Sequence, residues 1–382
     1  MSLDLLVIRN ADLHAPDPLG HRDLLLGGGR ILGLAPRIEV PAGTQEYDAE
    51  GAIACPGFVD SLVHLSGGGG EGGFATRTPA LTDAGAAFRV GITSVIGALG
   101  TDDVTRSLAD LLACARALDQ QGLTCRVLTG SYQVPVQTLT GSIRSDLVLI
   151  PDMIGVGEVA IADHRGSHPG VAELARIAAD ARVAGMLAGK PGRVLVHVGD
   201  AEEGLALLHA TIAAHPLPAS QWHPTHINRH AGLLAQAPAW VAAGGSVDLT
   251  TSTTPALIAA GDIPASVALA RLLEGGTPAS VISMSSDGHA SLPDFDPHGR
   301  LRGIGVAPLG SLLEAVRDAV MSHGQDISPV LETVTRTPAR IWGLATKGEL
   351  RIGADADILL LDPDTLAVRD TFARGRRHPL TA

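Results

Sequence analysis

The sequence predicts an α/β protein, a (β/α)8 TIM barrel with a small β-sandwich domain formed by both chain termini. Three observations lead there. Eight short apolar runs alternate with alanine- and leucine-rich stretches of helical spacing through the middle of the chain, and right-handed parallel connections need a helix between strands. Both chain ends are strand-like, and neither would bury a good core by itself. Polar residues recur where the runs end, the face on which such barrels carry their chemistry.

At the N-terminus "DLLVIRNADLHA" and "RDLLLGGGRILGLAP" are β-rich runs with glycine at the turn, which predicts a hairpin. Near the C-terminus "GELRIGADADILLLD" and "LAVRDTFARGRR" mirror it. Residues 1–53 and 345–382 are therefore expected to pair into one small domain flanking a barrel of residues 54–344. The barrel strands are read, in order, from "GFVDSLVHL", "ITSVIGALG", "TCRVLTGSY", "MIGVGEVAIAD", "GRVLVHVGD", "WHPTHINR", "SVDLTTST" and "SVISMSSD". Between them, "AELARIAADARVAGMLAG" and "SVALARLLEGG" repeat apolar residues at helical spacing.

At 382 residues, with 45% hydrophobic and 18% charged residues, the chain is long enough for one large barrel with an appendage and too apolar to be disordered. The net charge of −12 and the lack of a basic stripe exclude a non-specific nucleic-acid binder. Cys55, Cys114 and Cys125 form no CxxC pair, which fits buried thiols in a reducing compartment. Asp4 stands where a signal peptide needs basic residues. Apolar runs stay short of the roughly 18 residues that span a bilayer. The expectation is a soluble cytoplasmic protein with no membrane partner.

Strand-end residues supply the chemistry. His64, Thr101, Tyr132, Glu158, His197, His226 with Arg229, and Asp287 all follow or close an apolar run. Imidazoles and carboxylates converging on one face suit a divalent transition metal. His197 alone is equally well read as a hydrogen-bonded core histidine. Agreement across several strands is what favours a metal site. The first run lacks one expected donor: in "CPGFVDSLVHL" residues 62 and 64 share a face, and the first of them is Leu62.

The motifs "CPGFVD", "GGGGEGG" with "TRTP", "GTDDVTR", "LTGSYQVP", "IGVGEVAIADHR", "HVGD", "THINR", "SSDGHAS" and "KGELRIGADADILLLD" resemble the amidohydrolase superfamily, and within it the isoaspartyl dipeptidase (β-aspartyl peptidase) branch. The resemblance runs in order over nearly the whole chain. It implies hydrolysis of the isopeptide or amide bond of β-aspartyl dipeptides, or of a closely related small amide, by metal-activated water. It implies one or two zinc ions, or another divalent transition metal, with His64 and Asp287 at a first position. Glu158 bridges to a second position, completed by His197 and His226. Asp287 is then the general base and acid, and Tyr132 stabilises the oxyanion. Glu71, Gly69, Thr101, Arg165, Arg229 and Ser291 are the substrate-binding residues, with Glu71 for an ammonium and the two arginines for carboxylates. The partners it implies are a small dipeptide-like substrate and further copies of the same chain.

Leu62 leaves the first metal position open to several readings. The enzyme runs on one metal or holds a second weakly; His289 or His230 substitutes; or the chain is a catalytically impaired binding protein. A related cyclic-amide or N-acyl amino acid hydrolase is the alternative among enzymes.

Overall fold

The computed structural model describes residues 5–70, 72–295 and 300–379. Each of the eight apolar runs contains a parallel strand, bounded as Phe58–Val63, Ile92–Gly97, Thr124–Thr129, Met153–Ile161, Arg193–Val198, Trp222–Thr225, Val247–Thr250 and Ile282–Ser285. The first six pair consecutively into one curled sheet, and the last two form a second. Near-continuous apolar sequence is what parallel strands covered on both faces require, and all nine residues of Met153–Ile161 are buried. Two contacts draw the arcs together. The His64 amide donates to Gly288 O at 2.8 Å beyond the eighth strand, and the Ile227 amide donates to Asp248 O at 3.2 Å between the sixth and seventh.

Helices occupy the crossovers. The longest, Val171–Ala188, starts where the Glu173 carboxylate accepts from the Gly170 amide at 2.8 Å. It ends at Gly189, whose φ of 65° is the left-handed turn favoured at a helix C-terminus. Its inner face is Leu174, Ile177, Ala178, Ala181 and Ala184, all buried.

Strands from both chain ends join into one eight-stranded mixed sheet. The reason is the short strand Ile53–Pro56, which pairs with Leu6–His14 on one side and Ile358–Leu361 on the other. That one strand zips the termini together. The sheet has its own apolar cluster, including Ile8, Leu24, Ile31, Ile358 and Phe372. After the eighth parallel strand comes an antiparallel hairpin, Ser291–Phe295 with Leu301–Val306, which the apolar pattern did not signal. Among the described residues, no helix is long and apolar enough to cross a membrane.

Candidate functional site

Register brings the donors together. In the fifth strand His197 lies beside Ala160 of the fourth, and an irregularity between Val194 and Val196 sets Glu158 just below it. Glu158 lies inside its strand rather than at its end. Its side chain is fully buried. Glu158 Oε2 is 3.2 Å from His197 Nδ1 and 3.3 Å from His226 Nε2. Zinc–ligand bonds of about 2.0–2.2 Å put the donors of a tetrahedral site about 3.3–3.6 Å apart, so these separations fit one ion. Glu158, His197 and His226 are the group of metal-capable side chains found among the described residues.

His226 and Asp287 adopt φ values of 62° and 52°. Such left-handed backbone in non-glycine residues is a cost found at functional sites, and here it bends the chain sharply past the strand. The His226 ring is oriented by Thr250 Oγ1, 2.5 Å from Nδ1, so Nε2 faces Glu158. Likewise His64 donates from Nδ1 to Ala98 O at 3.2 Å. Its Nε2 lies 3.1 Å from Asp287 Oδ1 and 3.6 Å from Glu158 Oε1. Neither approach is aligned as a hydrogen bond, and both carboxylate oxygens are buried without such a partner among the described residues. Two orphaned carboxyl oxygens beside imidazole nitrogens are what a cation would satisfy.

Protonation follows from burial and neighbours. Burial works against the Glu158 carboxylate, but the His197 and His226 imidazoles against it outweigh that and hold its pKa below the usual carboxylate range. Burial, then the charges of His197 and Arg229, push His226 down to about 4, so its imidazole is neutral and able to ligate. Burial, reinforced by Glu158, raises the Tyr132 phenol well above its ordinary value. It therefore stays a hydrogen-bond donor, 2.7 Å from His197 Nδ1.

Around this centre is a cavity of about 360 Å³ lined by Arg165, Arg229, Asp287, Ser291 and the aliphatic side chains Leu257, Leu292, Leu301 and Ile304, among others. Arg165 is ion-paired with Asp163 at 2.7 Å. Arg229 Nη2 lies 3.3 Å from His197 Nε2.

No family model matches the chain. A solved structure of beta-aspartyl dipeptidase from Fervidobacterium islandicum AW-1, in complex with the beta-Asp-Leu dipeptide, is 37% identical. The alignment covers 99% of this chain and 97% of that one, with a TM-score of 0.92. The chain belongs to the beta-aspartyl dipeptidase family. An L-hydantoinase from Arthrobacter aurescens, 17% identical over 98% of this chain and 96% of its own with a TM-score of 0.70, shares the fold. Dihydroorotase of Listeria monocytogenes is 32% identical over 141 residues, 37% of this chain, and the match spans only 30% of that enzyme's length.

Other predicted residues of this family member have their own places. Thr101 follows the second strand and is half-buried. Gly69, at φ 76°, bridges to Arg77, and a Cβ there would sit 2.5 Å from Thr76 O. The neighbouring Gly68 abuts the His64 ring, so the glycine run passes beside the donors. Glu71 lies outside the described residues. His289 is turned away: its Nδ1 donates to Pro79 O at 2.9 Å. His230 caps a short helix by accepting from the Leu233 amide. Neither joins the metal-capable group. Leu62 is fully buried among Ile96, Leu128, Leu195 and Trp342. Sequence reasoning missed Asp163, although it lies in the quoted "IADHR" two residues before Arg165. The signal was an aspartate placed to accept from the amide two positions on.

Proposed function

We propose that this chain hydrolyses the isopeptide bond of β-aspartyl dipeptides or closely related small amides. In this reading it uses one divalent ion, zinc by donor type, held by Glu158, His197 and His226. The observation that carries the reading is the convergence of those three donors with Glu158 Oε1 and Asp287 Oδ1, both unpartnered among the described residues, beside two arginines. The barrel of residues 54–344 is the catalytic unit, with 1–53 and 345–382 as its appendage. Bound at these donors, a divalent ion supplies Lewis acidity and a nucleophilic water at neutral pH.

The residues do the rest. Asp287, with Oδ1 facing the site, accepts the proton of the attacking water and returns it to the leaving amine. Tyr132, kept protonated, donates to the developing oxyanion. Arg165 and Arg229 bind substrate carboxylates, with Ser291, Thr101, Gly69 and Glu71 completing the polar contacts. Leu257, Leu292, Leu301 and Ile304 offer the leaving residue an aliphatic wall, which favours β-Asp-Leu over dipeptides with a charged second residue. The first metal position, with Leu62 in an apolar cluster, is not a site of its own.

Metal analysis of protein purified without chelator, paired with hydrolysis of β-Asp-Leu, tests this. About one equivalent and turnover are expected. Less than about half an equivalent, with neither metal nor turnover gained on added zinc, would leave a binding protein instead.

A further inference from the structure

Asp163 touches both halves of the site. It follows the fourth strand just after Ala162, whose φ is 52°, and its side chain is 2% exposed. Oδ2 lies 2.9 Å from His197 Nε2 and 2.7 Å from Arg165 Nη2. Oδ1 accepts from Arg165 Nε at 3.0 Å and from the Arg165 amide at 2.8 Å. The Arg165 guanidinium reaches both of its oxygens, the fork geometry of an arginine paired with a carboxylate. Behind it, Gly199 packs so closely that a Cβ there would lie 2.6 Å from Asp163 Cα and Cβ. The carboxylate has nowhere else to go.

An ionised carboxylate only accepts hydrogen bonds. Asp163 Oδ2, at 2.9 Å, is nearer to His197 Nε2 than are Arg165 Nη2 and Arg229 Nη2, both at 3.3 Å, so Nε2–H is assigned to Asp163, which leaves Nδ1 as the nitrogen whose lone pair can face Glu158 and the Tyr132 hydroxyl. A neutral imidazole has one donor and one acceptor nitrogen, and the partner of one decides the role of the other. The same oxygen that sets this tautomer also grips the arginine assigned to a substrate carboxylate.

We propose that Asp163 is a positioning residue that fixes His197 as an Nδ1 metal donor and mounts Arg165 against it. Metal holding and carboxylate recognition are thereby coupled through one side chain. The proposal rests on the metal reading above and adds to it a residue that touches neither metal nor substrate. The competing reading is that Asp163 serves Arg165 alone, as an ordinary ion pair.

The test compares Asp163→Asn with Arg165→Ala. Zinc affinity is measured by competition with a chromophoric chelator, and KM and kcat with β-Asp-Leu. Asp163→Asn should weaken zinc binding about 10–100-fold and also raise KM. Arg165→Ala should raise KM while leaving zinc affinity within about threefold of the parent. If both variants raise KM alike and zinc affinity is unchanged in Asp163→Asn, Asp163 serves only the arginine and the proposal falls. A second readout does not depend on turnover or on the variant folding: the ¹⁵N shifts of His197 in metal-free parent protein. Nε2–H with an unprotonated Nδ1 is expected, and the opposite tautomer overturns the proposal. Failure of the functional reading shows separately, as a parent protein that neither binds zinc nor hydrolyses dipeptide.

Discussion

Two residues carry the catalytic argument furthest. Asp287 Oδ1 is buried, unpartnered among the described residues and 3.1 Å from His64 Nε2, whereas the three residues proposed to hold zinc come from the fourth and fifth strands and the end of the sixth. Asp287→Ala should therefore lower kcat by about 10²–10⁴-fold, the range for loss of a general acid–base, while close to one equivalent of zinc stays bound. Elemental analysis alongside kinetics checks both halves. Retained turnover would remove Asp287 from the mechanism. Leu62 poses the reverse case. Its side chain packs with Ile96, Leu128 and Leu195, so an imidazole there lacks a polar partner. Leu62→His should destabilise metal-free protein by about 2–3 kcal/mol. Excess zinc should recover most of that loss, because the new ring shares its strand face with His64. Urea denaturation with and without zinc measures this, and a loss unmoved by zinc would show that residue 62 points away from the metal position.

At the scale of elements, the hairpin Ser291–Phe295 with Leu301–Val306 brings Leu292, Leu301 and Ile304 to the cavity wall. Trimming aliphatic contact in such a pocket costs about 1–3 kcal/mol of discrimination. Ile304→Ala should thus narrow the kcat/KM preference for β-Asp-Leu over β-Asp-Gly about tenfold, with little change for β-Asp-Gly. An unchanged ratio would place the leaving residue elsewhere. This hairpin also marks the limit of what the sequence disclosed. The parallel strands were legible because each is an apolar run ended by polar residues, and the metal-capable group because imidazole and carboxylate types fall within or just past those runs. The hairpin, "SLPDF" and "LRGIGV", is short, interrupted by proline and glycine and partly exposed, so periodicity has little to grip. Asp163 was hidden for another reason. Its role depends on two partners, one of them 34 residues away, and no local pattern encodes that. His289 and His230 show the converse. Both have a ligand's chemistry and lie near the motifs, but a carbonyl and a helix amide engage one ring nitrogen of each.

Over the whole molecule, the interior beneath the site balances its protons. Burial pushes the Asp248 carboxyl up to about 7, although Ser283, Ser285 and Thr225 all donate to it. Burial, helped by Arg193, pushes His223 down to about 3. The two are linked through Ser283 Oγ, which lies 3.0 Å from His223 Nε2 and donates to Asp248. Asp248 is raised in the folded state, so its contribution to stability is complete below about pH 4 and is lost as pH climbs to about 7. His223 is depressed, so its contribution is present above about pH 6.5 and is lost as pH falls towards 3. Between those limits folding takes up a proton at the aspartate and refuses one at the histidine, and the two slopes oppose each other. Removing either partner exposes the other. Relative to the parent, Asp248→Asn should gain stability with rising pH by about 1.4 kcal/mol per unit between pH 4 and 7. His223→Gln should lose stability at a similar rate between pH 3 and 6.5. Urea denaturation of the parent and both variants across this range reads the two slopes directly. Difference curves that stay flat, or share one sign, would mean that the buried pair does not exchange protons with folding.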